Sequence, residues 1–318
     1  MDKRPLQTAY TFAQLLNRQV ERFGPDLVFH VHVPKTAGGT VKTLFQQNSF
    51  SVLDFDMNTK SFFETTREDR WRENFSREPP RASYLLSGHF RLDLPILRQL
   101  RVRHAIVTLL RDPMKRVLSH YNYTLRVEGN PWREEVLAGT MSFLEYTEWL
   151  HGAIGPQYSF FDDTGVGTFA RSGTASVERC LSNLLTRVSL FGLTERFNEY
   201  CAVAGYLFGR SKLLTVGRHN VTSRLSGSRN QALKVSMSNE ELDDVGRLFA
   251  DDIWFYEEAR REYEHRTSDP RFQAVLSKTL PLMAECEEAM ERLLNIPDPA
   301  DPERGAFERL SGGMPRTG

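Results

Sequence analysis

The sequence predicts an α/β fold in which helices flank a central parallel β-sheet, with a helical extension at the C-terminal end. Apolar runs of strand length alternate with helix-like segments, and strands that alternate with helices form the βαβ units of parallel sheets. The runs that we interpret as buried strands are Leu27–Val33, Ser83–Ser87, His104–Leu110 and Val188–Leu193.

Three of these runs, the first, third and fourth, are apolar almost throughout, as expected for strands covered on both faces. The segments predicted to be helical around them are Thr40–Gln47, Leu94–Arg101, Pro113–Arg126, Trp132–Leu150, Val177–Arg187 and Thr194–Phe208. Two long amphipathic segments, Ser238–Glu264 and Arg271–Leu294, form the predicted C-terminal extension.

The chain is organised as one main domain with a short lead and a tail. Residues 1–26 are polar and helix-like, and residues 27–295 carry the alternating pattern. Proline and glycine accumulate in residues 296–318, which predicts a disordered tail.

Charge and cysteine content exclude several classes of protein. The 41 Lys and Arg residues equal the 41 Asp and Glu residues, so no overall basic field attracts nucleic acid. Three widely spaced cysteines favour neither a disulfide framework nor a zinc site, and no metal is expected. The polar N-terminal segment resembles neither a signal peptide nor a transmembrane segment, which favours a cytoplasmic protein. The alternative is a lumenal enzyme whose anchor precedes this sequence.

A turn rich in small residues follows the first predicted strand and contains Lys35, Thr36, Ala37, Gly38, Gly39 and Thr40. Glycines allow backbone N–H groups to approach an anion, and a helix N-terminus favours negative charge. Thr40 is predicted to cap the helix, and Lys35 supplies a full positive charge. The lysine precedes the glycines, so the turn does not match the GxxxxGK[ST] pattern of ATP and GTP P-loops. An ordinary strand–helix turn is the alternative interpretation.

A second candidate anion site follows the third predicted strand. Arg111 stands at the carboxyl end of that strand, and Pro113 suits the first turn of the helix that carries Ser119. Ligands of open α/β sheets bind at the carboxyl ends of the strands, so Arg111 and Ser119 could converge on one phosphate. The alternative is an Arg111–Asp112 ion pair with Ser119 as a surface hydroxyl.

Together, these two segments resemble the PAPS-dependent sulfotransferases, whose fold is a P-loop-like α/β fold. Pro34 to Thr40 is similar to their 5′-phosphosulfate loop, and Arg111-Asp-Pro with Arg116, Ser119 and Tyr121 is similar to their 3′-phosphate motif. Among these enzymes, the motifs most resemble those of heparan sulfate 2-O and 6-O sulfotransferases and their bacterial relatives. Further similarity lies in Leu86–His89, Phe191–Glu195 and His219–Thr222, although Ser87 replaces the first His of the 2-O enzymes' His-Gly-His.

The resemblance implies the roles of individual residues. Residues 35–40 would hold the 5′-phosphosulfate of PAPS, Arg111 and Ser119 would hold the 3′-phosphate, and His89 would be the catalytic base. Lys35 would also offset charge on the leaving oxygen. The implied reaction transfers a sulfuryl group to a hydroxyl of a carbohydrate or glycolipid acceptor and releases PAP. A P-loop-type kinase and a non-catalytic PAP- or glycan-binding protein remain the alternatives.

The remaining candidates receive simpler interpretations. His30 and His32 lie on one face of the first strand and are expected to be packed or hydrogen-bonded, and His120 is expected in the core or on the surface. Glu195 is expected to cap the helix that it begins. The aromatic-rich stretch Trp132–Phe161, with Trp149, Tyr158, Phe160 and Phe161, could floor a sugar-binding cleft or form a helical core. Arg91 and Arg126 could contact an anionic acceptor or be ordinary exposed arginines, and Asn220 and Thr222 could close over the nucleotide or form a polar turn.

Overall fold

The structure, a computed structural model, describes residues 9–18, 27–55, 82–92, 97, 103–163, 176–209 and 239–294. Within these residues, a five-stranded parallel sheet has the strand order β2-β3-β1-β4-β5. The strands are β1 (Leu27–Val31), β2 (Ser51–Phe55), β3 (Tyr84–Gly88), β4 (Ala105–Leu110) and β5 (Leu190–Leu193). The predicted α/β class with a parallel sheet is confirmed.

Helices connect and follow the strands. They are α1 (Phe12–Arg18), α2 (Gly38–Gln47), α3 (Pro113–Arg126), α4 (Arg133–Ala138), α5 (Phe143–Ala153), α6 (Val177–Arg187), α7 (Phe197–Leu207), α8 (Asn239–Leu248), α9 (Ala250–Thr267) and α10 (Pro270–Leu294). Two 3₁₀ turns, Gln157–Phe161 and Thr194–Arg196, precede α6 and α7 respectively.

Helices cover both faces of the sheet. Successive residues of a strand point to opposite faces, so neighbouring residues pack in different clusters. In β1, Phe29 packs in a cluster with residues of α6 and α9, whereas Val28 packs with residues of α2, α7 and α10. A third apolar cluster, centred on Tyr146, joins α3, α5 and α8 beside the sheet. The buried sheet explains why β1, β4 and β5 are apolar almost throughout.

The strand order places a topological switch point, where open α/β sheets form a crevice, at the carboxyl ends of β1 and β4. After β1 the chain crosses to β2 on one side, whereas β4 and β5 lie on the other side of β1. The loops that follow β1 and β4 therefore diverge, and such a switch point is where open α/β sheets bind ligands. The Lys35 and Arg111 turns are these two loops.

The boundaries of several predicted helices and strands differ from those in the structure. The strand β2 was not predicted, and the single helix predicted over Trp132–Leu150 is two helices, α4 and α5, because Gly139 adopts a positive φ of 69° at the end of α4. The segment Ser238–Glu264 likewise divides into α8 and α9 at Phe249. Most of the lead, most of the predicted helix Leu94–Arg101 and the tail lie outside the described residues.

None of the helices in the described ranges combines the length and the apolar character that a bilayer crossing requires.

Candidate active site

The Lys35 and Arg111 turns are in direct contact. The Arg111 Nη1 donates a hydrogen bond to the Lys35 carbonyl oxygen at 3.0 Å, across 76 residues of sequence. Because β1 and β4 are adjacent parallel strands, their carboxyl ends deliver both turns to the same edge of the sheet. Two basic residues that are distant in sequence therefore share one crevice.

The turn after β1 is held in an unusual backbone conformation. Lys35 and Ala37 have φ angles of 68° and 67°, in the left-handed region that non-glycine residues rarely adopt. The buried Thr36 hydroxyl donates to the Val33 carbonyl at 2.8 Å, which closes the turn. Strain of this kind clusters at ligand-binding loops.

The helix start differs from the predicted one. Helix α2 begins at Gly38 with Ala37 as its N-cap, so Thr40 lies inside the first turn and is buried. The prediction that Thr40 caps the helix was wrong, because the left-handed Ala37 starts the helix earlier. The N–H groups of Gly38, Gly39 and Thr40 belong to the first turn, which has no partners for them within the helix.

Lys35 belongs to a cluster of cations. Its Nζ lies 3.9 Å from the centre of the Tyr123 ring, and burial together with Arg126 and Arg111 lowers the pKa of Lys35 to about 8. Burial also lowers the pKa of Arg111, against the opposing effect of Glu195 and Asp112. A buried lysine surrounded by further cations is stabilised when an anion binds.

The Arg111 side chain has unused capacity for a ligand. Its Nε is buried and has no hydrogen-bond partner among the residues that the structure describes. A buried donor without a partner costs free energy, so its presence at the crevice favours a bound acceptor such as a phosphate oxygen.

Two side chains fix the backbone around Arg111 through contacts that the sequence did not predict. The fully buried Gln157 accepts from the Arg111 N–H at 3.2 Å and donates to the Arg111 carbonyl at 2.9 Å. Glu195 accepts from the Asp112 N–H at 3.2 Å and from the Tyr256 hydroxyl at 3.0 Å. The predicted capping role of Glu195 was wrong, since its carboxylate turns toward the Arg111 turn.

Helix α3 carries Ser119 on the side of the crevice. Asp112 is its N-cap and accepts from the Lys115 N–H at 2.9 Å. Ser119 lies one turn before Tyr123 on the same face, and Tyr123 is the residue beneath the Lys35 Nζ. Within the described ranges, the Ser119 hydroxyl has no hydrogen-bond partner.

The other two residues of the predicted motif have structural roles. Arg116 is buried, donates to the Gly155 carbonyl at 3.1 Å and pairs with Asp252 at 3.5 Å. Tyr121 packs edge-on against Phe143, at 5.1 Å between ring centres. Both residues attach α3 to its neighbours.

His89 follows β3, on the other side of β1 from Arg111. Its Nδ1 lies 2.7 Å from the His32 carbonyl oxygen. A carbonyl only accepts, so Nδ1 carries the hydrogen, and the lone pair of the neutral ring is on Nε2. The contact selects the tautomer that a general base requires.

Three imidazole rings are stacked beside the turn. The His32 ring lies 4.2 Å from the His89 ring and 5.3 Å from the His30 ring, and the His30 Nδ1 lies 2.9 Å from the Ser87 hydroxyl. Burial is the main cause that lowers the pKa of His30 to about 3 and holds the pKa of His32 well below its usual value. The prediction that His30 and His32 are packed or hydrogen-bonded is confirmed.

We expect Gly38→Ala to destabilise the protein by about 1–3 kcal/mol, the usual cost of overpacking. A Cβ at Gly38 would overlap the His32 ring, which the other two histidines hold in place. Gly152 in α5 has no atom within 4 Å of its added Cβ, so Gly152→Ala is the matched control and should stabilise by up to about 1 kcal/mol. Urea unfolding measures both; equal effects of the two changes would contradict the packing at Gly38.

Several of the other predicted contacts have structural roles. Tyr158, Phe160 and Phe161 are buried in the core between the sheet and α9, and Arg91 pairs with Asp162. Asn220 and Thr222 lie outside the described residues. In the described part of the chain, no three His, Cys, Asp or Glu side chains are grouped as a metal site.

Comparison with known proteins finds likenesses among solved structures. No family model and no curated protein matches the chain. Among solved structures, it is similar to a sulfotransferase from Alicyclobacillus acidocaldarius, with 16% sequence identity over 75% of this chain and 96% of that one, at a TM-score of 0.41. We infer function from the residues of the chain itself.

Proposed function

We propose that the protein is a PAPS-dependent O-sulfotransferase that acts on a hydroxyl of a carbohydrate or glycolipid. The observation that carries the proposal is the hydrogen bond from Arg111 to the Lys35 carbonyl, which joins two basic turns at the switch point of the sheet. PAP and PAPS carry phosphate groups on the 3′ and 5′ positions of one ribose, so a crevice with a basic turn on each side suits them.

The donor would be held from both sides. Lys35 and the N–H groups of residues 36–40 would bind the 5′-phosphosulfate, as helix N-termini bind anions elsewhere. Arg111 and Ser119 would bind the 3′-phosphate. The buried Arg111 Nε without a partner in the described residues and the cationic neighbours of Lys35 both fit a polyanionic nucleotide.

The reaction would then need alignment, charge stabilisation and one base. The bond between sulfur and the bridging oxygen of PAPS breaks, and a new bond forms between sulfur and the acceptor oxygen. The acceptor proton moves to the Nε2 of His89, and the bridging electron pair stays on the 5′-phosphate of PAP. Lys35 would offset the charge that develops on that phosphate.

The contacts of His89 with His32 suit it to the role of general base. The His32 carbonyl fixes the tautomer, and the stacked His32 ring restrains the plane of the His89 imidazole. Since burial keeps His30 and His32 neutral, they add no positive charge that would oppose proton uptake by His89.

The nucleotide specificity tests the proposal. We expect PAP at 100 times its dissociation constant to stabilise the protein by about 2.7 kcal/mol, and AMP or magnesium-ATP at the same concentration to stabilise it much less. Thermal unfolding with each ligand measures the effect. Equal stabilisation by magnesium-ATP would favour the kinase alternative, and PAP binding without transfer to any glycan of a panel would favour a binding protein.

A further inference from the structure

A row of aromatic rings extends from the Lys35 side chain across helices α3 and α5. The Tyr123 ring lies under the Lys35 Nζ at 3.9 Å, and the His120 ring follows at 6.3 Å from Tyr123. Trp149 lies 6.5 Å from His120, and Trp132 lies 6.4 Å from Trp149. We call Tyr123, His120, Trp149 and Trp132 the aromatic row.

The two outer members of the row face solvent. Trp132 is 40% exposed and Tyr123 is 38% exposed, although both belong to residue types that proteins usually bury. Trp132 also has a φ angle of 66°, which is unfavourable for a bulky residue. Exposed aromatic surface and backbone strain at one residue are features of binding surfaces.

The inner members are held rigidly. The His120 Nδ1 lies 2.6 Å from the Tyr146 hydroxyl, which lies 2.8 Å from the Thr124 hydroxyl. Burial, with Lys35 and Arg116, lowers the pKa of His120 to about 3, so the ring is uncharged at neutral pH. The row therefore offers rigid, neutral aromatic faces rather than further cations.

The segment that carries most of the row is acidic, although the Lys35 end of the row is cationic. Residues 123–153 contain five carboxylates and two guanidinium groups, a net charge of −3, although the whole chain is neutral. All five carboxylates are exposed: Glu128, Glu134, Glu135, Glu145 and Glu148. A polyanionic chain bound to this segment would meet a net negative charge, and like charges facing one another oppose binding.

We infer that the aromatic row binds the acceptor, and that the acceptor is an uncharged oligosaccharide rather than a polyanionic one of the heparan type. The apolar faces of neutral sugar rings can pack on Trp132 and Trp149, while polar edges of the aromatic side chains bond to sugar hydroxyls. The Lys35 end of the row marks where the reacting hydroxyl would lie. The assignment of the Lys35 end of the row to the reacting hydroxyl thus rests on the proposed function.

Binding of glycans to the full chain tests this inference. Arrays of neutral, sialylated and sulfated glycans identify the best neutral ligand, and its dissociation constant is then measured beside that of a heparin hexasaccharide. We expect preference for the neutral ligand and a loss of about tenfold or more in Trp132→Ala. Trp254 in α9 is 41% exposed, so Trp254→Ala is the matched control and should bind normally.

A change of charge separates this acceptor from a polyanion. In Glu135→Lys with Glu148→Lys, we expect stronger binding of the heparin hexasaccharide and unchanged binding of the neutral glycan. Preference of the wild-type protein for heparin, equal effects of the two tryptophan changes, or no glycan binding would each overturn the inference. PAP affinity is measured for the wild-type protein and for every variant. If the wild-type protein does not bind PAP, the proposed function fails; if it binds PAP but the glycan results differ from those expected, the inference alone fails.

Discussion

Replacing His89 with alanine is expected to lower kcat for sulfuryl transfer by about 10²- to 10⁴-fold, the usual contribution of a general base. The Nδ1 contact with the His32 carbonyl leaves Nε2 as the basic nitrogen of the neutral ring. Affinity for PAP should remain near that of the wild-type protein, because the two phosphate sites lie in other turns. Transfer from radiolabelled PAPS to the best acceptor of the glycan panel measures kcat, and calorimetry measures PAP affinity.

Two further variants separate catalysis from structure. In His89→Asn, an amide N–H can replace the donor to the His32 carbonyl but cannot accept the acceptor proton, so the variant should be as inactive as His89→Ala. His265 in α9 is exposed, and His265→Ala should retain full turnover. Turnover of a folded His89→Ala protein near the wild-type value would remove His89 from the mechanism.

Replacing Lys35 with alanine is expected to weaken PAP binding about ten- to a hundredfold, as the loss of one charge-assisted hydrogen bond implies. It should also lower kcat at saturating PAPS, because Lys35 would stabilise the charge on the leaving phosphate. Calorimetry and steady-state kinetics separate the two effects. An unchanged kcat would leave Lys35 with a binding role alone.

The pH dependence of PAP binding provides a second test of Lys35. Because burial, Arg126 and Arg111 lower the pKa of Lys35 to about 8, its charge is present below this pH and is lost as the pH rises through it. The affinity of the wild-type protein for PAP should therefore fall between about pH 7 and 9. Lys35→Arg keeps its charge throughout this range and should show a flatter profile. A flat wild-type profile would contradict the depressed pKa.

Much of the fold was predictable because it depends on local patterns. Strands β1, β4 and β5 are buried on both faces and therefore read as continuous apolar runs. Strand β2 lies at the sheet edge, pairs only with β3 among the described strands, and is a short mixture of polar and apolar residues. Its position follows from pairing with distant residues, so the local sequence did not reveal it.

The candidate site was also predictable only in part. Strand–turn–helix patterns predicted the Lys35 and Arg111 turns, and parallel β1 and β4 bring those turns together. Gln157 and Glu195 act across 46 and 83 residues of sequence, and their neighbourhoods do not show that they reach the Arg111 turn. In the aromatic row, Trp132 and Trp149 belong to a stretch that the sequence already indicated for sugar binding, whereas His120 and Tyr123 join them only through the packing of α3 against α5.

The central claim is that the Arg111 turn binds the 3′-phosphate of the nucleotide whose 5′-phosphate the Lys35 turn binds. The direct measurement is the affinity of PAP and of AMP, which lacks the 3′-phosphate, for the wild-type protein and for Arg111→Ala. Any disturbance of the Lys35 turn by the substitution affects both ligands and cancels in the comparison. We predict that the 3′-phosphate strengthens wild-type binding by about 1.5–3 kcal/mol and contributes little in Arg111→Ala. An equal contribution of the 3′-phosphate in both proteins would contradict the claim.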